Sequence, residues 1–303
     1  MRKKIALVGC GIWGQKILRD LLNLQCIVDV FDMNEAACTD ALSLGAQSFN
    51  SGLPSSASYD GIIVATPSIT HRTILERISP LGLPIFVEKP LTTSLEDALH
   101  LREVLHERVY VMHIWLYHPG IRMLSEIAKS EELGKVLSLR SKRCNWTSPR
   151  KDIDSIWNLA PHDITICQSI LGFLPDPVFS TVERYKNGIA RGMVGVLGNN
   201  PSFIFEISNR YETKLRDVRL HCENGVAVLK DEKVDYLEIY HGDDESDLSK
   251  IEIEKRRFGT NSALIEELRE FINYLEGGPS PRSNLEHGVQ VVRVIDSLIK
   301  MDS

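Results

Sequence analysis

The sequence predicts an α/β domain built on a parallel sheet over residues 1–120. An α+β domain with a large, mainly antiparallel sheet follows over residues 121–303. Three observations predict this. Short apolar runs alternate with amphipathic stretches through the first 120 residues. A glycine cluster sits directly after the first run. Beyond Pro119 the texture shifts to strands punctuated by Asn-Gly turns.

The first half is read element by element. Ile5–Val8 is a short apolar run of the kind buried on both faces of a parallel sheet. Trp13, Ile17, Leu18, Leu21 and Leu22 then form one helical stripe. Ile27–Phe31 is a second strand, and Asn34–Leu44 a helix stopped by Gly45. Gly61–Ala65, Ile85–Val87 and Val109–Met112 supply further strands, with helices over Ile69–Ile78 and Leu95–His106 between them. In the second half, Ile121–Ser130 is a helix, Val136–Asn145 a long strand, and Ile164–Leu171 a helix closed by Gly172. Strands are expected over Val178–Tyr185, Ala190–Val196, Phe203–Ser208, Val218–Cys222, Val226–Leu229 and Tyr236–Tyr240, with Asn187-Gly188 and Asn224-Gly225 as hairpin turns. Helices over Ser262–Glu276 and Leu285–Met301 end the chain.

Composition narrows the function classes. The 303 residues carry a formal charge of −6, which disfavours a nucleic-acid surface because phosphate binding needs clustered cations. No stretch approaches the roughly 20 apolar residues of a membrane span. The start, MRKKIALVGCGIWG, reads as a buried strand rather than a signal peptide, because its apolar run is short. The six cysteines form no CxxC pair and sit near no histidine at zinc spacing, so reduced thiols, a cytoplasmic location and no metal site are expected. Asn145-Trp146-Thr147 is a sequon, without meaning in that setting.

The glycine cluster carries the first chemical signal. Gly9-Cys10-Gly11-Ile12-Trp13-Gly14 is G-x-G-x-x-G between a strand and an amphipathic helix, the context of a Rossmann dinucleotide site. Gly9 makes the turn, Gly11 admits the pyrophosphate, and Gly14 lets helix and strand pack closely. Asp32 ends the second strand near the offset of a ribose-binding acid. Met33 and Asn34 follow with no cation for a 2′-phosphate, so NAD is expected over NADP.

Further motifs stand in order along the chain. Ala65-Thr66-Pro67 with His71 follows the third strand, Glu88-Lys89-Pro90 the fourth, and Trp157-Asn-Leu-Ala-Pro-His-Asp163 lies in the second half. With the glycine loop they make the chain resemble the Gfo/Idh/MocA oxidoreductases over its full length. Gly11-Ile-Trp-Gly14, Met112-His-Ile-Trp-Leu-Tyr-His-Pro119 and the Trp157 motif are similar to the branch acting on sugar nucleotides, including UDP-N-acetylglucosamine 3-dehydrogenases. That resemblance implies an NAD-dependent dehydrogenase oxidising a secondary alcohol of a UDP-N-acetylglucosamine-like substrate at C3. It implies that Lys89 and His162 flank the alcohol, with Ala65, Thr66, Pro67, His71, Glu88, Lys89 and Pro90 lining the cofactor. A homodimer or homotetramer is implied as well.

His162 suits a general base near neutral pH, and the Lys89 ammonium suits stabilisation of a developing alkoxide. The family pattern W-D-L-x-P-H-D has Asp four residues before the histidine. Here Asn158 stands there, able to orient the imidazole but carrying no charge, with Asp163 as a possible substitute. His162 itself reads as lying just before the Ile164–Leu171 helix. His113, Tyr117, Arg143, Asn145, Arg150 and Lys151 are polar residues placed to meet substrate, the cations suiting a diphosphate. Trp115, Trp146 and Trp157 suit either stacking on substrate or the core. Competing readings are a dehydrogenase of a free sugar or inositol, ketone reduction with NADH, and a non-catalytic NAD- and sugar-binding sensor.

Overall fold

The computed structural model describes residues 2–146, 152–186, 188–243 and 245–302. The expectations placed on Arg150, Lys151, the sequon's Thr147 and the turn residue Asn187 lie outside the described residues. The chain divides into two compact units, residues 1–114 with 262–292, and residues 115–261 with 293–303.

In the first unit, β1 (Lys4–Val8), β2 (Ile27–Phe31), β3 (Ser48–Asn50), β4 (Gly61–Val64), β5 (Ile85–Glu88) and β6 (Val109–Met112) form one sheet in the order β3-β2-β1-β4-β5-β6. Every pairing is parallel. Helices α1 (Ile12–Asn23), α2 (Ala36–Leu44), α3 (His71–Ile78) and α4 (Leu95–Val104) connect the strands. Gly45 ends α2 in the left-handed region, at φ 107°, as a helix-stop glycine must. The chain reverses its direction of strand addition between β1 and β4. That switch point opens a crevice beyond the carboxyl ends of the central strands.

In the second unit, α5 (Pro119–Ser130), β7 (Val136–Trp146) and α6 (Ser155–Leu171) precede a run of strands. These are β8 (Pro177–Arg184), β9 (Ala190–Leu197), β10 (Ser202–Ser208), β11 (Arg210–Cys222), β12 (Gly225–Leu229), β13 (Tyr236–His241) and β14 (Glu252–Arg257). With β7 they form an eight-stranded sheet, ordered β14-β13-β12-β11-β7-β10-β9-β8. Only β7 and β10 run parallel among its pairs. Helices α7 (Ala263–Leu275) and α8 (Leu285–Met301) close the chain.

The domain boundary expected at residue 120 is corrected. Residues 262–292 belong to the first unit because α7 completes its core. Leu264, Leu268 and Phe271 are buried among Ile5, Leu7, Ile63 and Phe86, and the Phe271 ring stacks on Phe86 at 4.9 Å. The segment that follows adds the bond from Val111 N–H to the Ser283 carbonyl, 3.0 Å.

Other differences have local causes. The helix expected over Ile164–Leu171 starts at Ser155. Asp154 caps it, accepting the Trp157 N–H at 3.1 Å. Pro161 lies inside this helix rather than ahead of it, so a proline stop signal misleads here. Strand β14 reads EIEKRR and the first half of β11 reads RYETKLRD, both too polar to signal a strand by hydrophobicity. Each is held by ladder pairing. Strand β3 is three residues long and carries no period. Among the described residues, no helix is long and apolar enough to cross a membrane, and no group of three metal-ligating side chains forms. The six cysteines are free thiols.

Candidate active site

Sterics assign the three glycines of the loop to distinct jobs. A Cβ on Gly14 would lie 2.2 Å from the Gly9 carbonyl oxygen, so only glycine lets α1 start this close to the turn. Gly9 has φ 92°, and its Cβ would meet the Ala65 backbone and the Thr66 methyl at 2.8 Å. The turn is therefore pressed against the loop after β4, where Ala65 N–H also bonds the Val8 carbonyl at 2.7 Å. Gly11 meets nothing within 4 Å. Its Cβ would point into open space at the start of α1, which no side chain caps. That cradle fits a diphosphate held by helix N–H groups and the positive end of the helix.

Asp32 organises the same corner. Its Oδ2 accepts the Cys10 N–H at 2.7 Å and its Oδ1 accepts the Asn34 N–H at 2.8 Å. A carboxylate has about four acceptor positions, so capacity remains for ribose hydroxyls. Ile12 and Met33 are 80% and 81% exposed, two large apolar side chains left in water beside this corner. Trp13 instead packs against the core, with Lys16 over its ring at 4.9 Å. Burial, followed by the charge of Asp32, pushes the Cys10 thiol up to about 11. It stays protonated and unreactive near neutral pH.

Glu88-Lys89-Pro90 follows at the carboxyl end of β5, with Glu88 buried and Lys89 half-buried. Here His71 departs from expectation. Its ring is sealed from solvent, with Nδ1 at 3.0 Å from the Pro90 carbonyl and 3.1 Å from that of Leu91, and Nε2 at 3.1 Å from that of Thr66. The expected cofactor contact is corrected to an internal tie between the loops after β4 and β5. His113 is likewise buried rather than facing substrate, and neither ring nitrogen has a hydrogen bond among the described residues. Burial, helped by the positive charges of Lys89 and His287, drives it down to about 3. It is a neutral core residue at any physiological pH.

Sequence reasoning missed Glu267, which lies within the apolar stripe of α7 and is fully buried. No side-chain hydrogen bond reaches either carboxyl oxygen among the described residues. Burial, then repulsion from Glu88, holds its pKa well above the carboxylate range, and the His113 backbone opposes this only in part. An acidic residue at a stripe position was the available signal.

The second unit presents the other motif on α6. Asn158 and His162 are both half-buried. They stand four residues apart and so share a helix face. His162 is the eighth residue of the helix, which corrects its expected place before the helix start. Asp163, the next residue, points roughly 100° round the helix. Its Oδ2 accepts Arg143 Nε at 2.6 Å, with both side chains buried. It therefore does not replace the family Asp beside His162.

Arg143 sits on β7 with its guanidinium also stacked on Trp115 at 4.2 Å. The expected diphosphate clamp at Arg143 is corrected, because the group is buried and already compensated. Asn145 donates to Asn209 Oδ1 at 3.2 Å and accepts from Arg216 at 2.8 Å, and Tyr117 is buried. Asn145 is half-buried, whereas Tyr117 lies in the core. Trp115 belongs to the core, Trp157 is half-buried, and Trp146 is exposed with Arg210 over its ring at 4.8 Å.

The comparisons with known proteins agree with this geometry. Residues 3–114 match the Gfo/Idh/MocA family model, described as "Oxidoreductase family, NAD-binding Rossmann fold". Over these residues the chain is similar to that family. It is 25% identical over 221 residues to the 2,7-anhydro-N-acetylneuraminate hydratase of Escherichia coli (strain K12), covering 65% of this chain and 56% of that one. It is 29% identical over 177 residues to the UDP-N-acetylglucosamine 3-dehydrogenase of Acidithiobacillus ferrooxidans, covering 57% and 55%. It is 28% identical over 205 residues to inositol 2-dehydrogenase 2 of Saccharopolyspora erythraea, covering 63% and 60%. The aligned chain thus spans a little over half the length of these relatives. The solved Acidithiobacillus enzyme shares the fold across 99% of this chain and 98% of its own, with a TM-score of 0.83 at 22% identity.

Two outcomes test the site. Gly11→Ala should leave thermal stability unchanged and weaken NADH binding, measured by fluorescence titration. Gly14→Ala should lower the melting temperature of the free protein, because its methyl group meets backbone. The second concerns Glu267. Unfolded, it ionises above about pH 4.3; folded, it keeps its proton to higher pH. The folded state binds more protons in that window, so this residue costs stability increasingly as pH rises. Glu267→Gln should therefore raise the melting temperature, by more at pH 8 than at pH 5. A gain that is largest at pH 5 would contradict the buried acid.

Proposed function

We propose that the protein is an NAD-dependent dehydrogenase that oxidises a secondary alcohol of a sugar nucleotide, of the UDP-N-acetylglucosamine kind, at C3. The observation that carries the reading is a dinucleotide cradle and a half-buried lysine at the carboxyl ends of the same parallel sheet. Gly9, Gly11 and Gly14 shape the cradle, and Asp32 meets the ribose without tolerating a 2′-phosphate. Bound there, NAD supplies the acceptor for the hydride.

The remaining chemistry belongs to the side chains. The Lys89 ammonium donates to the alcohol oxygen and steadies the charge that develops as its proton leaves. The resemblance assigns acceptance of that proton to the His162 imidazole. Asn158, one turn earlier on α6, orients the ring without adding charge. In serine proteases the exchange of an orienting Asp for Asn costs about 10⁴ in turnover. The present chemistry asks less of its base, since hydride departure acidifies the hydroxyl at the same moment.

The substrate class rests on the Trp157–Asp163 motif and on the similarity to the UDP-N-acetylglucosamine enzyme. A free sugar or inositol is the second reading, favoured by the similarity to the inositol enzyme and by the buried state of Arg143, which removes one expected diphosphate contact. Self-association as a dimer or tetramer belongs to the same reading. One face of the eight-stranded sheet carries a cross-strand row from Phe179 through Val196 and Ile204 to Arg140 and Arg219, with Phe179 half in water.

Incubation with NAD and a panel of UDP-sugars, inositols and free hexoses, followed by NADH absorbance, tests the assignment. Turnover of a UDP-sugar is expected, abolished in Lys89→Ala and retained in Asn158→Asp. Tight sugar binding without turnover would instead identify a sensor.

A further inference from the structure

The first unit holds a histidine with a backbone carbonyl within hydrogen-bond distance of each ring nitrogen. Among the contacts made by its ring, the His71 nitrogens face the carbonyl oxygens of Pro90 and Leu91 at Nδ1 and of Thr66 at Nε2, at 3.0, 3.1 and 3.1 Å. A carbonyl only accepts. A neutral imidazole has one N–H and one bare lone pair, so one end of a neutral ring would aim its lone pair at an oxygen lone pair. A ring that donates from both nitrogens satisfies every one of these contacts. A buried donor that meets an acceptor at each end is stabilised by charge-assisted hydrogen bonds.

Charged residues near it in the chain include Arg72, Glu88 and Lys89. Arg72, next along α3, is held by Asp97 at 2.5 Å and by Glu76 at 3.1 Å, so its charge is compensated. Glu88 lies two residues before Pro90, buried in the strand that leads to the tie. The carbonyls that His71 grips belong to the residues after Lys89 and to the middle residue of Ala65-Thr66-Pro67.

We propose that His71 is an imidazolium clamp, donating from both ring nitrogens, that positions Lys89 by fastening the segment Pro90–Leu91 to Thr66. It is a positioning residue and touches neither the alcohol nor the cofactor. Its part in turnover rests on the dehydrogenase reading; its protonation does not. The loop after β4 carries Thr66 against the glycine turn, so the clamp links Lys89 to the dinucleotide cradle through one side chain. A displacement of about 1 Å in a catalytic group costs on the order of 10²-fold in rate, which sets the scale of the expected effect.

The test uses the full chain labelled with ¹⁵N-histidine. The His71 signals, assigned by their absence in His71→Asn, should show protons on both nitrogens at neutral pH. One bare, pyridine-like nitrogen overturns the proposal, whether or not any substrate is turned over. Asn donates toward one side only. His71→Asn should therefore lower kcat by about 10-fold to 100-fold with KM nearly unchanged, and hydrogen exchange should quicken at residues 65–68 and 89–92. A folded variant with wild-type kcat overturns the positioning role. If the unaltered protein oxidises no alcohol, the dehydrogenase reading fails, while the ring protonation and the exchange at those two segments still decide the clamp.

Discussion

The close approach of three backbone segments governs the first unit. The turn at Gly9, the start of α1 at Gly14 and the loop at Ala65-Thr66 occupy a space that admits no Cβ at either glycine. This contact sets the end of β1 against the end of β4, at the point where strand order reverses. Everything that the site offers to a dinucleotide follows from it: the open face of Gly11, the uncapped N–H groups of α1 and the reach of Asp32 to Cys10. Repulsion at short range is steep, so this constraint is sharper than any attraction in the unit.

Beneath that contact lies a group of buried polar side chains that does not resemble an ordinary core. His71, Glu88, His113 and Glu267 are all buried in the unit that carries Lys89. Burying such groups costs free energy unless they are paired or neutral. His113 and Glu267 meet the condition by remaining uncharged, and His71 meets it by bonding carbonyls.

The second unit fixes its histidine by a different device. Helix α6 is capped by Asp154, tied to β9 through Ser155 and the Ala190 carbonyl at 2.8 Å, and pinned to β7 by the Arg143–Asp163 pair. Removing one partner of such a buried pair costs about 3–5 kcal/mol. Pairing Asp163 with Arg143 leaves Asn158 as the polar neighbour one turn from His162. Held by Arg143, Asp163 is not placed to stand in for an acid at position 158.

Local pattern was enough for much of this protein. Strands β1, β2, β5 and β6, the glycine loop, Asp32 and Glu88-Lys89-Pro90 declare themselves, because buried parallel strands are continuous apolar runs and a close-packed turn demands glycine at set spacing. Tertiary structure alone decided the rest. It assigned α7 to the first unit through Phe271 on Phe86, made strands of the charged segments EIEKRR and RYETKLRD, carried α6 through Pro161, and turned His71, His113 and Arg143 inward. The division has a physical reason. Periodicity and steric need are written in neighbouring residues, whereas ladder partners, burial and the pairing of a charge depend on what the folded chain brings from far away.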